Sequence, residues 1–156
     1  MLNKSFTLIE VIIAIFLLTV GTVGAFSLMQ KTIAFTAISS SQLAAAYLAQ
    51  EGIEVVRNIR DTNYLEASSW DDGLGAASDY RLDHQSSSFP DIGCGNYLKY
   101  DGNFYSCSSD ASAKFQRKIT ITKPAADKMT IEVEVSWQER GASYHVLAET
   151  ELYDWR

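Results

Sequence analysis

Ser5-Phe6-Thr7-Leu8-Ile9-Glu10-Val11-Ile12-Ile13-Ala14-Ile15-Phe16 opens an apolar run that continues to Phe26 and carries one acid, Glu10, near its beginning. Ahead of it stands a short stretch in which Lys4 is the only charged side chain. Behind Glu10, no ionisable side chain returns until Lys31. Wound as an α-helix, Val11 to Gln30 extends roughly 30 Å, the thickness of one bilayer core. The run therefore predicts a helix able to cross a membrane. A carboxylate inside such a helix costs about 2.5–3.5 kcal/mol on insertion scales. Unless it snorkels to the headgroups, Glu10 marks a functional site.

Ser5-Phe6-Thr7-Leu8-Ile9-Glu10-Val11 resembles the prepilin processing and methylation motif of type IV pilins and type II secretion pseudopilins. In that family a short basic leader is cut just before a Phe, the new amino group is methylated, and the acid five residues into the mature chain guides assembly. The resemblance implies cleavage between Ser5 and Phe6, N-methylation of Phe6, and Glu10 as the assembly acid. The family usually has Gly before the cut, where this chain has Ser5, another small residue. Electrostatics points the same way. A buried carboxylate needs a cation, and cleavage before Phe6 creates an ammonium with no long stem to order. In a filament, Glu10 of one subunit would meet the amine of its neighbour.

The resemblance also implies the partners: other pilin or pseudopilin subunits, the prepilin peptidase/methyltransferase, an inner-membrane assembly platform, and membrane lipid before assembly. Lys4 on the cytoplasmic side would place the bulk of the chain outside the inner (cytoplasmic) membrane in a single pass. The formal net charge of -6 becomes one unit more negative when Lys4 leaves with the leader. Such acidity favours solubility and leaves no electrostatic footprint for nucleic acid. A DNA-uptake role would rest on Lys114, Arg117 and Lys118, read here as exposed.

The segments expected are a leader (1–5), a transmembrane or filament-core helix half (6–30), an amphipathic helix half (31–60), a variable region (61–115) and an antiparallel three-stranded sheet (116–156). The fold class is α+β and pilin-like. Gly21 and Gly24 each cost about 1 kcal/mol relative to Ala, so the helix is expected to bend or melt there, or to pack closely on another helix. Thr32 to Ser41 is a weak, β-branched stretch. Ala45, Leu48, Ala49, Gly52, Val55, Val56 and Ile59 then fall on one helical face. Tyr47-Leu48-Ala49-Gln50-Glu51-Gly52-Ile53-Glu54 resembles the corresponding stretch of PilV-like minor pilins and I-type pseudopilins, which favours a minor subunit.

In the variable region, Asp101-Gly102 predicts a two-residue hairpin turn. Cys94 and Cys107 bracket it, and an even cysteine count in an oxidising compartment suggests a disulfide closing its base. The nearby aromatics, Trp70, Tyr97, Tyr100, Phe104 and Tyr105, are expected to cover the sheet. Trp70-Asp71-Asp72-Gly73 with Asp79 and Asp83 invites a calcium reading, but the order of an EF-hand loop is missing and Asp-Gly is a plain turn signal. No metal or other cofactor is expected.

From Gln116 on, strict alternation predicts three strands joined by turns at Pro124–Lys128 and Arg140–Ala142. The stripe from Ala45 to Ile59 is the available cover for their apolar face. His145 falls on the solvent-facing register. No phosphate loop, nucleophile elbow or paired Cys/His set is present, so no catalytic residues are assigned and the chain reads as a non-enzyme. Two other readings stand beside the filament subunit: a monomeric membrane-anchored binding domain, and a soluble protein released by signal peptidase after Ala25.

Overall fold

The computed structural model describes residues 7–75, 77–80, 82, 95, 97–110 and 112–155. One helix, α1 (Leu8–Leu65), is followed by strands β1 (Ala77–Tyr80), β2 (Tyr97–Tyr100), β3 (Tyr105–Ser108), β4 (Phe115–Ala125), β5 (Lys128–Glu139) and β6 (Ala142–Tyr153). The chain divides after Ser40 into two compact units.

In the first unit α1 runs without a break through Gly21, Gly24 and the Thr32–Ser41 stretch, so the expected melting does not occur. Two glycines at about 1 kcal/mol each weaken a helix of 58 residues without interrupting it. A Cβ at either glycine would meet nothing within 4 Å. The helix ends on a Schellman motif: Ser68 N–H donates to Asn63 C=O at 3.0 Å and Ala67 N–H to Tyr64 C=O at 3.3 Å. Ala67, at φ 57°, holds the left-handed position where Gly is the usual choice.

The second unit is α+β. Its strands lie in the order β3-β2-β4-β5-β6, all neighbours antiparallel, and β1 pairs with β4 beside β2. β4, β5 and β6 form the meander read from the alternation, and the sheet grows beyond it by three short strands. Arg140 (φ 52°) and Gly141 (φ 80°) make a two-residue turn of left-handed residues between the paired Glu139 and Ala142, the geometry that matches strand twist. The β2–β3 connection differs from expectation. Tyr100 pairs with Tyr105 and Asp101 N–H donates to Phe104 C=O at 3.1 Å, so the turn centres on Gly102-Asn103, one residue later than Asp101-Gly102. Asp101 is the cause: its Oδ1 accepts from the N–H groups of Asn103 and Phe104, both at 2.8 Å, which places it before the turn rather than in it, with Gly102 at φ 111° as the first turn residue.

The helix from Ser41 onward packs on the sheet through Ala45, Leu48, Ala49, Gly52, Val56 and Ile59, with Val55 at the margin. Opposite stand Ile119, Ile121, Ile131, Val133 and Val135, all buried, from the inward positions of β4 and β5. Gly52 sets the closeness of this contact, because a Cβ there would stand 3.0 Å from Val133 Cγ1. Of the aromatics, Trp70 is buried and Tyr97 and Tyr105 are half-buried, while Tyr100 and Phe104 at the hairpin are exposed. On the inner face the apolar cover thus reaches Tyr105 but stops at the tip.

Candidate processing and assembly site

α1 begins one residue after Thr7, and Thr7 is its N-cap. The N–H of Glu10 donates to Thr7 C=O at 3.1 Å and lies 3.4 Å from Thr7 Oγ1. Thr-x-x-Glu is the capping-box spacing, and it places the Glu10 carboxylate in the first helical turn, where free N–H groups favour negative charge. Reading Glu10 only for its distance from the leader passed over this pattern, although the spacing was visible in the sequence. Glu10 is exposed and has no ion-pair partner among the described residues. Ser5 and Phe6 lie outside the described residues.

Every large apolar side chain from Leu8 to Phe35 is exposed, the least so being Val11 at 46%. The first unit therefore presents an apolar surface around its whole circumference, a span long and apolar enough to cross a membrane. Between Val11 and Phe26 the only polar side chains are Thr19 and Thr22. Thr19 Oγ1 donates to Phe16 C=O at 2.8 Å, and Thr22 Oγ1 donates to Leu18 C=O at 2.9 Å and lies 3.0 Å from Thr19 C=O. Thr32 and Thr36 bond back in the same way to Leu28 and Thr32. The backbone is satisfied by the helix and the hydroxyls by the backbone, as a hydrocarbon environment requires.

The second unit places the other named residues. Arg117, read as exposed, is buried: it occupies the inward register between Phe115 and Ile119. Its Nη1 donates to Leu48 C=O at 2.9 Å and pairs with Glu51 at 3.0 Å, and its Nη2 donates to Leu82 C=O. Lys114 is also engaged: its ammonium sits 2.5 Å from Glu139 Oε2 and 2.7 Å from Ser41 Oγ, which itself donates to Glu139 at 2.9 Å. The cluster is a clasp between helix and sheet. Of the three cations named for DNA, Lys118 alone is exposed without an ion pair among the described residues, and no basic stripe forms.

Asp71, from the candidate calcium loop, pairs with Lys123 at 2.7 Å and accepts from Ser69 at 2.6 Å. The lysine, then the serine, holds its carboxyl below the usual range. Gly73 takes φ 71°, the turn role that Asp-Gly announces. The side chain of Asp79 and all of Asp83 lie outside the described residues. Among the described residues no His, Cys, Asp or Glu cluster is placed to hold a metal ion. His145 is exposed on β6. Cys107 sits on β3 opposite Leu98 and is not free. Cys94 lies outside the described residues. At the far end, Tyr64 Oη bonds Asp154 at 2.9 Å and accepts from the N–H of Trp155 at 3.1 Å, which ties the chain end to the helix.

Compared with known protein families, residues 1–26 match the prokaryotic N-terminal methylation motif. No curated protein and no solved structure matches the chain. The match supports the type IV pilin and pseudopilin family, whose members are structural subunits. The motif implies processing by prepilin peptidase and assembly with other pilin subunits, and together with the apolar helix it fits anchoring in a membrane.

Proposed function

We propose that the protein is a minor pilin or pseudopilin of a type IV pilus or a type II secretion-like filament. Prepilin peptidase cuts between Ser5 and Phe6, Phe6 is methylated, and the chain waits in the inner membrane with its sheet domain outside. It then leaves the lipid for a bundle of like helices. Glu10 sets register there by pairing with the amine of a neighbouring Phe6. Cys94 and Cys107 close the β2–β3 hairpin as a disulfide. The observation that carries this reading is the match of residues 1–26 to the methylation motif, on a helix whose apolar side chains are exposed all round.

The test is the mass and N-terminal residue of the mature protein from its own membranes. A chain beginning at Phe6 and one methyl heavier is the expected result. A start at Phe26 would overturn the filament reading in favour of a released soluble domain, and an intact Met1 would leave an uncleaved anchor.

A further inference from the structure

We infer that the outer face of the sheet, the face away from the helix, carries a binding site for a neutral carbohydrate. A half-open cavity of about 650 Å³ lies at one end of the sheet. Among the described residues its lining includes Tyr97, Lys114, Gln116, Ser136, Gln138 and Ser143. Its volume falls within the range of small-ligand sites, roughly 300–1,000 Å³.

Strand register explains how these residues meet. Ser108 pairs with Tyr97, Tyr97 with Gln116, Gln116 with Ser136, and Ser136 with His145. One transverse row therefore crosses five strands with side chains about 5 Å apart and without a carboxylate. Gln138 and Ser143, paired with each other, begin the next row. All belong to the register opposite the buried Leu98, Phe115, Val135 and Trp137.

The chemistry of the lining selects the ligand class. Each glutamine amide offers donors and an acceptor side by side, and each serine hydroxyl is both, which matches the vicinal hydroxyls of a sugar. Tyr97 supplies a ring for the C–H face. An anionic ligand would need a free cation in the lining, but Lys114 is committed to Glu139 and Ser41; outside the lining, Lys99 is paired with Asp110 at 2.7 Å and Lys118, exposed on the same face, stands opposite Glu134 in register. A cationic ligand would need a carboxylate in the lining. Further along the same face stand Glu134, Glu132 and Glu149, which repel anions from the approach.

The experiment is saturation-transfer NMR on the full mature chain, held in a micelle of non-sugar zwitterionic detergent. The probes are maltotriose, lactose, triacetylchitotriose, 3′-sialyllactose and a neutral N-acetyl tetra-alanine amide, each at millimolar concentration. At least one neutral saccharide should receive saturation, with lactose ahead of its sialylated form. Gln116→Ala should weaken binding about 3- to 10-fold, the loss of one hydrogen-bonding group. Ser136→Trp, which fills the cavity from the solvent side, should abolish it. An unchanged urea midpoint confirms that each variant folds. Absence of transfer to every neutral saccharide, binding that survives Ser136→Trp, or transfer to the peptide instead would overturn the assignment.

Discussion

Replacing Gly52 by Ala sets two opposed effects against each other. A methyl at this position would stand 3.0 Å from Val133 Cγ1, 3.2 Å from Arg117 Cδ and 3.5 Å from Ile119 Cδ1. Carbon atoms prefer about 3.5–4.0 Å, and Val133, wholly buried on β5, has little room to retreat. Overpacking of this kind costs about 1–3 kcal/mol. Ala in place of Gly within a helix returns about 1 kcal/mol. The balance is a loss of about 1 kcal/mol, and its sign rests on Val133. Val133→Ala alone should cost about 2 kcal/mol through the cavity it leaves. In the Gly52→Ala background the new methyl occupies part of that cavity, so the pair should be less destabilising than the sum by about 1 kcal/mol. Urea unfolding followed by fluorescence of the buried Trp70 and Trp137 measures all four corners of the cycle. Additive effects, or a Gly52→Ala variant more stable than the parent, would mean that the helix stands off the sheet at this point and would refute the reasoning.

Glu10→Gln keeps the capping-box geometry, since Gln serves at that position as Glu does, but removes the charge. Filament incorporation in cells should be lost while membrane insertion persists, and normal incorporation would reduce Glu10 to a helix-cap role. Arg117→Met fills the space but leaves Glu51 and the Leu48 and Leu82 carbonyls without their donor, so it should cost about 1–3 kcal/mol, whereas Arg117→Ala adds a cavity and should cost about 3 kcal/mol or more; equal urea midpoints for the two variants would contradict this. Acid stability follows from two depressed carboxyls: Lys123 chiefly lowers Asp71, and Lys114 chiefly lowers Glu139. Their folded values lie below the unfolded ones of about 4. The stability they supply is therefore present above pH about 4 and lost as pH falls through the lowered folded values. Lys123→Met should flatten the fall of the urea midpoint between pH 5 and 2, and an unchanged slope would show that Asp71 contributes nothing.

Alternation alone located the core of the sheet. Ile131, Val133, Val135 and Trp137 are buried where period two puts them, and the stripe from Ala45 to Ile59 covers them. The same alternation also placed Arg117 inward, between Phe115 and Ile119. Its charge argued for solvent, and nothing local reveals that the carbonyls of Leu48 and Leu82 wait to receive it. Ser41, Lys114 and Glu139 meet across separations of 73 and 98 residues, which no spacing rule reaches. The hairpin was visible as Asp-Gly, but the position of its turn was decided by the side chain of Asp101. The processing motif was legible because it is contiguous. The neutral row on the outer face was not, because it is assembled one residue at a time from five strands.

On the proposed function, the back-bonded threonines of the first unit bear on how the helix would change solvent. Thr19 and Thr22 satisfy their hydroxyls on their own helix, so passage from fluid hydrocarbon to a packed bundle breaks no hydrogen bond along that surface and gains none. The exchange is then decided by how well side chains fit, an energy that is small per contact and reversible in sum. On the proposed function, Glu10 is the one charged group in the apolar run that would need a new partner on the way, so the direction of traffic would turn on a single carboxylate.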